Sequence, residues 1–240
     1  MTKTLHAPLT IKLFADGADV DAILRLGGDE RIQGFTTNPT LMRKSGITDY
    51  EGFARKVLDH ISDRPVSFEV FSDEFEEMGR QARRIAAWGS NAVIKIPITN
   101  TRAESAAPLI EELTGEGMRL NVTALMTVAQ VEQVAEILAA GPGAIVSVFA
   151  GRIADTGRDP VPLMKHCVAV LEPHPHVELL WASPREILNV YQADSVGCDI
   201  ITLTNELLDK LSLFEKDLDE YSLDTVRMFY SDAKTAGFLL

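Results

Sequence analysis

The sequence predicts an α/β protein built as one (β/α)8 TIM barrel with an extra C-terminal helix. Eight short runs rich in β-branched residues recur along the chain, amphipathic stretches separate most of them, and 240 residues with 46% apolar side chains suit one barrel. Strands alternating with helices imply a parallel sheet, and eight such units imply closure at this length. An open doubly wound sheet is the alternative. The turn after the first strand reads "DGADVD", which lacks the GxGxxG pattern expected there. The expected organisation is therefore a single barrel domain over 1–240, with 211–240 a helical extension.

The eight strands are expected at 10–16, 32–37, 66–70, 92–98, 119–125, 144–149, 177–183 and 200–204. After Thr37 the chain has room for a short helix before one at 50–61. The stretch 73–88 opens on acidic residues, as a helix N-terminus favours, and carries apolar positions at helical spacing. The stretch 127–140 opens on Thr127 as a cap and stops before Gly141-Pro142. Ser183 followed by Pro184 predicts a capped helix over 184–191. The tail holds a helix at 222–236, able to pack on its own barrel or on a neighbouring subunit.

Composition narrows the function classes. Aromatic residues are 7%, so the core is expected to be aliphatic, and the net charge of −12 argues against nucleic-acid binding. No apolar run approaches the ~20 residues that span a bilayer, and the first residues lack a secretory layout. A cytoplasmic protein with no membrane partner is expected. Cys167 and Cys198 lack metal-ligand spacing and read as free thiols. His6, His60, His166, His174 and His176 all fall away from the expected strand ends and read as surface or structural groups. No zinc signature (HExxH or a Cys cluster) and no GxSxG motif is present.

Alternate residues of a barrel strand point inward, and the site of such a barrel lies at the C-terminal strand ends. Val93, Lys95 and Pro97 share one face of the fourth strand, whereas Ile94, Ile96 and Ile98 suit the helix layer. Asp16 ends the first strand. Thr36 and Asn38 share a face of the second, Ser67 and Glu69 of the third, Asn121 and Thr123 of the fifth, Ser147 and Phe149 of the sixth with Arg152 just beyond, and Trp181 and Ser183 of the seventh. A strand-end Asp or Asn is commonly a turn residue, and Ser before Pro is commonly a cap. Lys95 is different, because lysine is rarely buried without a partner. Its structural explanation is an ion pair with Asp16 or Glu69. Its chemical explanation is that an amine taken out of water is more readily neutral. A neutral amine attacks carbonyls to form a Schiff base, and the carboxylates of Asp16 and Glu69 can move the protons.

The segments "FAD", "GFTTNPT", "SFEV", "IKIPIT", "NVTAL", "FAGRIAD" and "WAS", in this order over about residues 11–210, resemble the transaldolase and fructose-6-phosphate aldolase family. The resemblance implies a metal-free, cofactor-free enzyme of carbohydrate metabolism, of the pentose phosphate type, acting on sugar phosphates. It implies Lys95 as the Schiff-base lysine, Asp16 as the acid/base at the donor's C4 hydroxyl, and Glu69 with Thr123 as holders of a proton-shuttling water. It further implies Asn38 and Asn121 as grips on the dihydroxyacetone hydroxyls, Thr36 as a lining residue, and Ser183 and Arg152 as phosphate contacts. Glu69 and Phe149 resemble transaldolases, where the aldolases carry Gln and Tyr. The run "SPRE" stands where transaldolases have a basic residue shortly after the serine, so Arg185 is the candidate replacement. The departures at "SPRE" and "DGAD" leave the donor and acceptor sugars open, including a sugar with another anionic tail such as a sulfonate. Small members of the family assemble into homo-oligomers, often decamers, through a C-terminal helix.

Overall fold

The structure is a computed structural model that describes residues 9–238. His6 lies outside them. Eight parallel strands close into a barrel in sequence order: β1 (Lys12–Asp16), β2 (Ile32–Thr36), β3 (Val66–Glu69), β4 (Ala92–Pro97), β5 (Leu120–Leu125), β6 (Ala144–Val148), β7 (Val177–Trp181) and β8 (Ile200–Thr204). The helices are α1 (Val20–Gly27), α2 (Pro39–Lys44), α3 (Tyr50–His60), α4 (Phe75–Ala86), α5 (Ala107–Gly115), α6 (Val128–Ala139), α7 (Ala150–Asp155), α8 (Val161–Leu171), α9 (Leu188–Ser195), α10 (Asn205–Lys210) and α11 (Leu218–Ala236). Among the described residues, no helix is long and apolar enough to cross a membrane.

Local signals start the helices. Asp19 caps α1 at Ala22 N and Asp49 caps α3 at Gly52 N, while Thr127 and Gln130 form a capping box at α6. α2 opens on Pro39, with the Asn38 side chain accepting from Leu41 N. Helix α9 departs from expectation. The sequence places a helix at 184–191 capped by Ser183, but α9 begins at Leu188. The Asn189 side chain accepts from Arg185 N and Glu186 N instead. Ser183 has φ +57°, outside the extended conformation of an N-cap.

Burial follows the two faces of each strand. Phe14, Ile145, Leu180, Ala182 and Ile200 fill the barrel interior, with Phe149 against them. Ile94, Ile96, Val122, Val146, Val148, Leu179 and Trp181 join the larger layer beneath the helices. Each fully buried aliphatic chain of this kind stabilises by about 1.5–3 kcal/mol. Gly34 makes room for the Phe14 ring, which a Cβ there would strike. The interior parity matches expectation on strands β1 to β6. On β7 it is reversed: Leu180 and Ala182 point inward, and Trp181 packs outward. Both cysteines are buried free thiols, and burial pushes the Cys167 thiol up to about 12.

The last helix stands apart. α11 starts at Leu218, four residues before the expected 222, capped by Asp217 at Asp219 N and Glu220 N. None of its residues is buried. Leu223, Val226, Phe229 and Tyr230 form an apolar stripe that is exposed along its length.

Candidate active site

The strand register sets the site. Asp16 stands beside Thr36, Glu69 beside Lys95, Lys95 beside Asn121, and Pro97 beside Thr123. Polar residues therefore gather at one level, near the C-terminal ends of the strands. They open into a cavity of about 490 Å³ lined by Asp16, Thr36, Asn38, Glu69, Lys95, Thr123, Ser147, Phe149, Arg152, Ser183 and Thr202, with Leu41, Met126 and Leu180 among the apolar wall.

Lys95 projects from the middle of this floor with its side chain 7% exposed. Its Nζ lies 3.2 Å from Glu69 Oε2 and donates to the Thr37 carbonyl at 2.9 Å. The ion pair with Glu69 is thus present, and it faces the cavity rather than a closed core. Tyr50 donates from its hydroxyl to the Glu69 carbonyl oxygen at 3.0 Å, tying the end of β3 to α3. Burial pushes the Tyr50 phenol up, so it stays a donor at neutral pH.

Asp16 accepts from Thr36 Oγ1 at 2.8 Å. Asn38 Nδ2 stands 3.4 Å from Asp16 Oδ2, while Asn38 Oδ1 caps α2. One amide therefore fixes both the helix start and the carboxylate. Burial raises the Asp16 carboxyl above the ordinary aspartate range; Lys95 and the Thr36 and Asn38 hydrogen bonds oppose this, and Glu69 adds to it. Two carboxylates share the neighbourhood of one ammonium, so one of them lacks a cation of its own.

Asn121 lies beneath the cavity floor and is fully buried. It donates to Ser67 Oγ at 3.1 Å and accepts from Ser147 Oγ at 2.7 Å. Thr123 Oγ1 is buried with no hydrogen-bond partner among the described residues. It precedes Ala124, whose φ is +66°, at the point where the pairing of β5 with β6 shifts register. Such irregularities re-aim side chains at the rim of a barrel.

At the mouth, the Arg152 guanidinium lies 5.4 Å from the centre of the Phe149 ring, within cation–π range. The Arg152 charge also acts on Asp155, whose carboxylate is clasped by Arg185. Ser183 reaches the cavity through its left-handed backbone rather than through strand parity. Gly151 N donates to the Ala182 carbonyl at 3.2 Å, and a Cβ at Gly151 would overlap the Ser183 carbonyl oxygen. That close approach holds the loops after β6 and β7 together, with Arg152 and Ser183 on the same cavity. Arg185 is not brought there. Its guanidinium clasps both oxygens of Asp155, outside the cavity lining. Two contributors went unselected in the sequence. Thr202 on β8 shares the inward parity of Ile200, and a parity test of the eighth strand finds it. The Thr37 carbonyl has no sequence signal, because any residue supplies one.

A lysine, two carboxylates and paired hydroxyls thus gather at the C-terminal strand ends, where the active sites of barrel enzymes lie. Comparison with known proteins makes the class specific. The family described as Transaldolase/Fructose-6-phosphate aldolase matches residues 13–240, and the chain belongs to that family. It is 36% identical over 203 residues to "Probable transaldolase 2" of Listeria monocytogenes, covering 84% of this chain and 88% of that one. It is 35% identical over 219 residues to "Probable transaldolase" of Lactiplantibacillus plantarum, covering 89% and 96%. Among solved structures, dihydrodipicolinate synthase from Rhodopseudomonas palustris superposes with a TM-score of 0.56 at 16% identity over 92% of this chain and 81% of that one. That last likeness concerns the fold alone.

Proposed function

We propose that the protein is a transaldolase that moves a dihydroxyacetone unit from a ketose phosphate, such as fructose 6-phosphate or sedoheptulose 7-phosphate, to an aldose acceptor. The observation that carries this is Lys95, buried at the cavity floor, 3.2 Å from Glu69 and in one cavity with Asp16. The Lys95 amine attacks the donor's C2 carbonyl, and loss of water leaves an iminium. Asp16 takes the proton from the C4 hydroxyl as the C3–C4 bond breaks. The electron pair of that bond moves to the C2–C3 enamine, and the aldehyde leaves. The enamine then attacks the acceptor aldehyde, Asp16 returns its proton, and water releases the product ketose.

Glu69 and the Thr123 hydroxyl, which has no partner among the described residues, hold the water that carries protons during dehydration and hydrolysis. Asn38 and Thr36 hold Asp16 in place beside the sugar. Asn121, held beneath the floor by Ser67 and Ser147, acts by presenting Ser147 to the dihydroxyacetone hydroxyls. Arg152 and Ser183 take the phosphate, and Phe149 supports the Arg152 guanidinium. Glu69 and Phe149 favour transfer over release of free dihydroxyacetone. The test is borohydride trapping with fructose 6-phosphate, followed by peptide mass mapping. A three-carbon adduct on Lys95 is expected, with turnover that depends on an acceptor aldehyde. Free dihydroxyacetone from donor alone would show an aldolase instead.

The exposed stripe on α11 is the face through which the chain forms a homo-oligomer. Phe229→Asp is expected to lower the mass in light scattering to that of a monomer. An unchanged mass would place the interface elsewhere.

A further inference from the structure

β1 lies between β2 and β8, and side chains from these two strands meet inside the barrel. Phe14 is in register with Thr202, and Asp16 with Thr36. The Thr36 and Thr202 hydroxyl oxygens lie 2.6 Å apart, and both residues are buried. Thr36 Oγ1 is also 2.8 Å from Asp16 Oδ1. A threonine hydroxyl has one proton to give. An ionised Asp16 can only accept, so the Thr36 proton goes to it. The Thr202 proton must then go to Thr36. The two hydroxyls form a directed chain that ends on the carboxylate.

We propose that Thr202 is a positioning residue for the reaction: by donating to Thr36, it commits the one Thr36 proton to Asp16 and strengthens that bond. The proposal rests on Asp16 being the acid/base group of the transaldolase reading. A hydroxyl that accepts a hydrogen bond becomes a better donor, and a charged acceptor gains more from a better donor than a neutral one does. The chain therefore favours the ionised carboxylate against its burial. The titratable groups facing Asp16 are Lys95 from β4 and Glu69 from β3. β2 and β8 and the turn after β2 supply only neutral partners to it: Thr36, Asn38 and, through Thr36, Thr202. A hydroxyl chain is thus the lever the adjacent strands have on this carboxylate.

The test is Thr202→Val, close to isosteric but without the donor, with Thr202→Ser as the rescue and Thr202→Ala as a second donor-free variant. Infrared difference titration reads the Asp16 carboxylate directly, its band assigned by subtracting Asp16→Asn spectra. Thr202→Val is expected to move Asp16 protonation to higher pH and to lower kcat on the acid side about fivefold, the size of one hydrogen bond. KM should change less than twofold, and Thr202→Ser should restore both readouts. A folded Thr202→Val or Thr202→Ala with the wild-type carboxylate titration overturns the proposal. So does a failure of Thr202→Ser to restore it. If the transaldolase reading fails instead, sugar donors leave no adduct on Lys95 while the infrared shift stands.

Discussion

The two ends of the barrel both carry inward-facing charges, and they handle them oppositely. At the N-terminal end, Glu178 on β7 pairs with Lys12 on β1 and with Arg119 just before β5. Two cations share one carboxylate there, and the Lys12 and Arg119 side chains are 47% and 42% exposed. At the C-terminal end, Lys95 is shared by Glu69 and Asp16, and its side chain is 7% exposed. In the lower cluster the two cations reach water and together cover Glu178, whose side chain is 15% exposed, so the one buried charge there is fully compensated. The upper one sets two half-buried carboxylates against a single buried cation, which is costly for the fold and useful to a reaction that moves protons. The exposure of the cations, and the ratio of cations to carboxylates, separate the two clusters.

The largest effect expected from breaking the upper cluster comes at its cation. Lys95→Met removes the nucleophile and should lower transfer by at least about 10⁴-fold, the order reached when a covalent group is lost. Borohydride trapping should give no adduct, while circular dichroism shows the barrel intact. Transfer at the wild-type rate by this variant would rule out the Schiff base.

The next effect is smaller on rate and opposite in sign on stability. Asp16→Asn should lower kcat about 10²–10⁴-fold, as expected for a lost acid/base group. It should also stabilise the fold. The Asp16 carboxyl is raised above 3.8 by burial, so the native state holds this proton more tightly than the unfolded chain does. Stability therefore falls as pH rises from the unfolded value through the raised native value, and the cost is fully present above that window. Removing the charge should raise Tm at pH 7, each 1 kcal/mol gained appearing as about 2–4 °C in a chain of this length. The gain should disappear as pH falls toward 4. Melting curves of both proteins across that range check the sign. A lower Tm for the variant at pH 7 would show that the hydrogen bonds from Thr36 and Asn38 outweigh the burial.

The upper half of this contrast was legible in the sequence, because period-2 burial sets the lysine of "VIKIP" on the inward face, where an ion pair or a reactive amine are its two explanations. The same parity placed Asp16, Glu69, Thr123 and Phe149 on the cavity. It misplaced β7, where it put Trp181 inward with Ser183. There the strand runs "VELLWAS" without polar alternation, so either face fits until the neighbouring strands choose. Ser183 still reaches the cavity, by a left-handed backbone that no pattern of side chains announces. Arg185 was placed by its nearness in sequence to Ser183, but the late start of α9 leaves it free to clasp Asp155. Parity alone puts Thr202 on the inward face with Ile200, but the partner that gives its hydroxyl a role lies across β1 and is visible only in the closed barrel. The exposure of α11 depends on tertiary packing, and an amphipathic pattern alone allows either a barrel or a subunit as its neighbour.

The smallest effect is expected at the lower cluster, and it sharpens the comparison from the other side. Glu178→Gln leaves Lys12 and Arg119 without their shared anion, but both cations reach water. With both cations exposed and Glu178 15% exposed, the cluster is worth about 1 kcal/mol, the upper end for surface pairs, and salt screens it further. Tm should therefore drop by at most about 4 °C at low ionic strength, and by less in high salt. Transfer kinetics should stay within twofold of wild type, because Phe14, Leu180 and Ile200 fill the barrel between the two clusters. A large loss of activity from Glu178→Gln would mean that the barrel interior couples its ends. The charge at the N-terminal end would then belong to the site rather than to the scaffold beneath it.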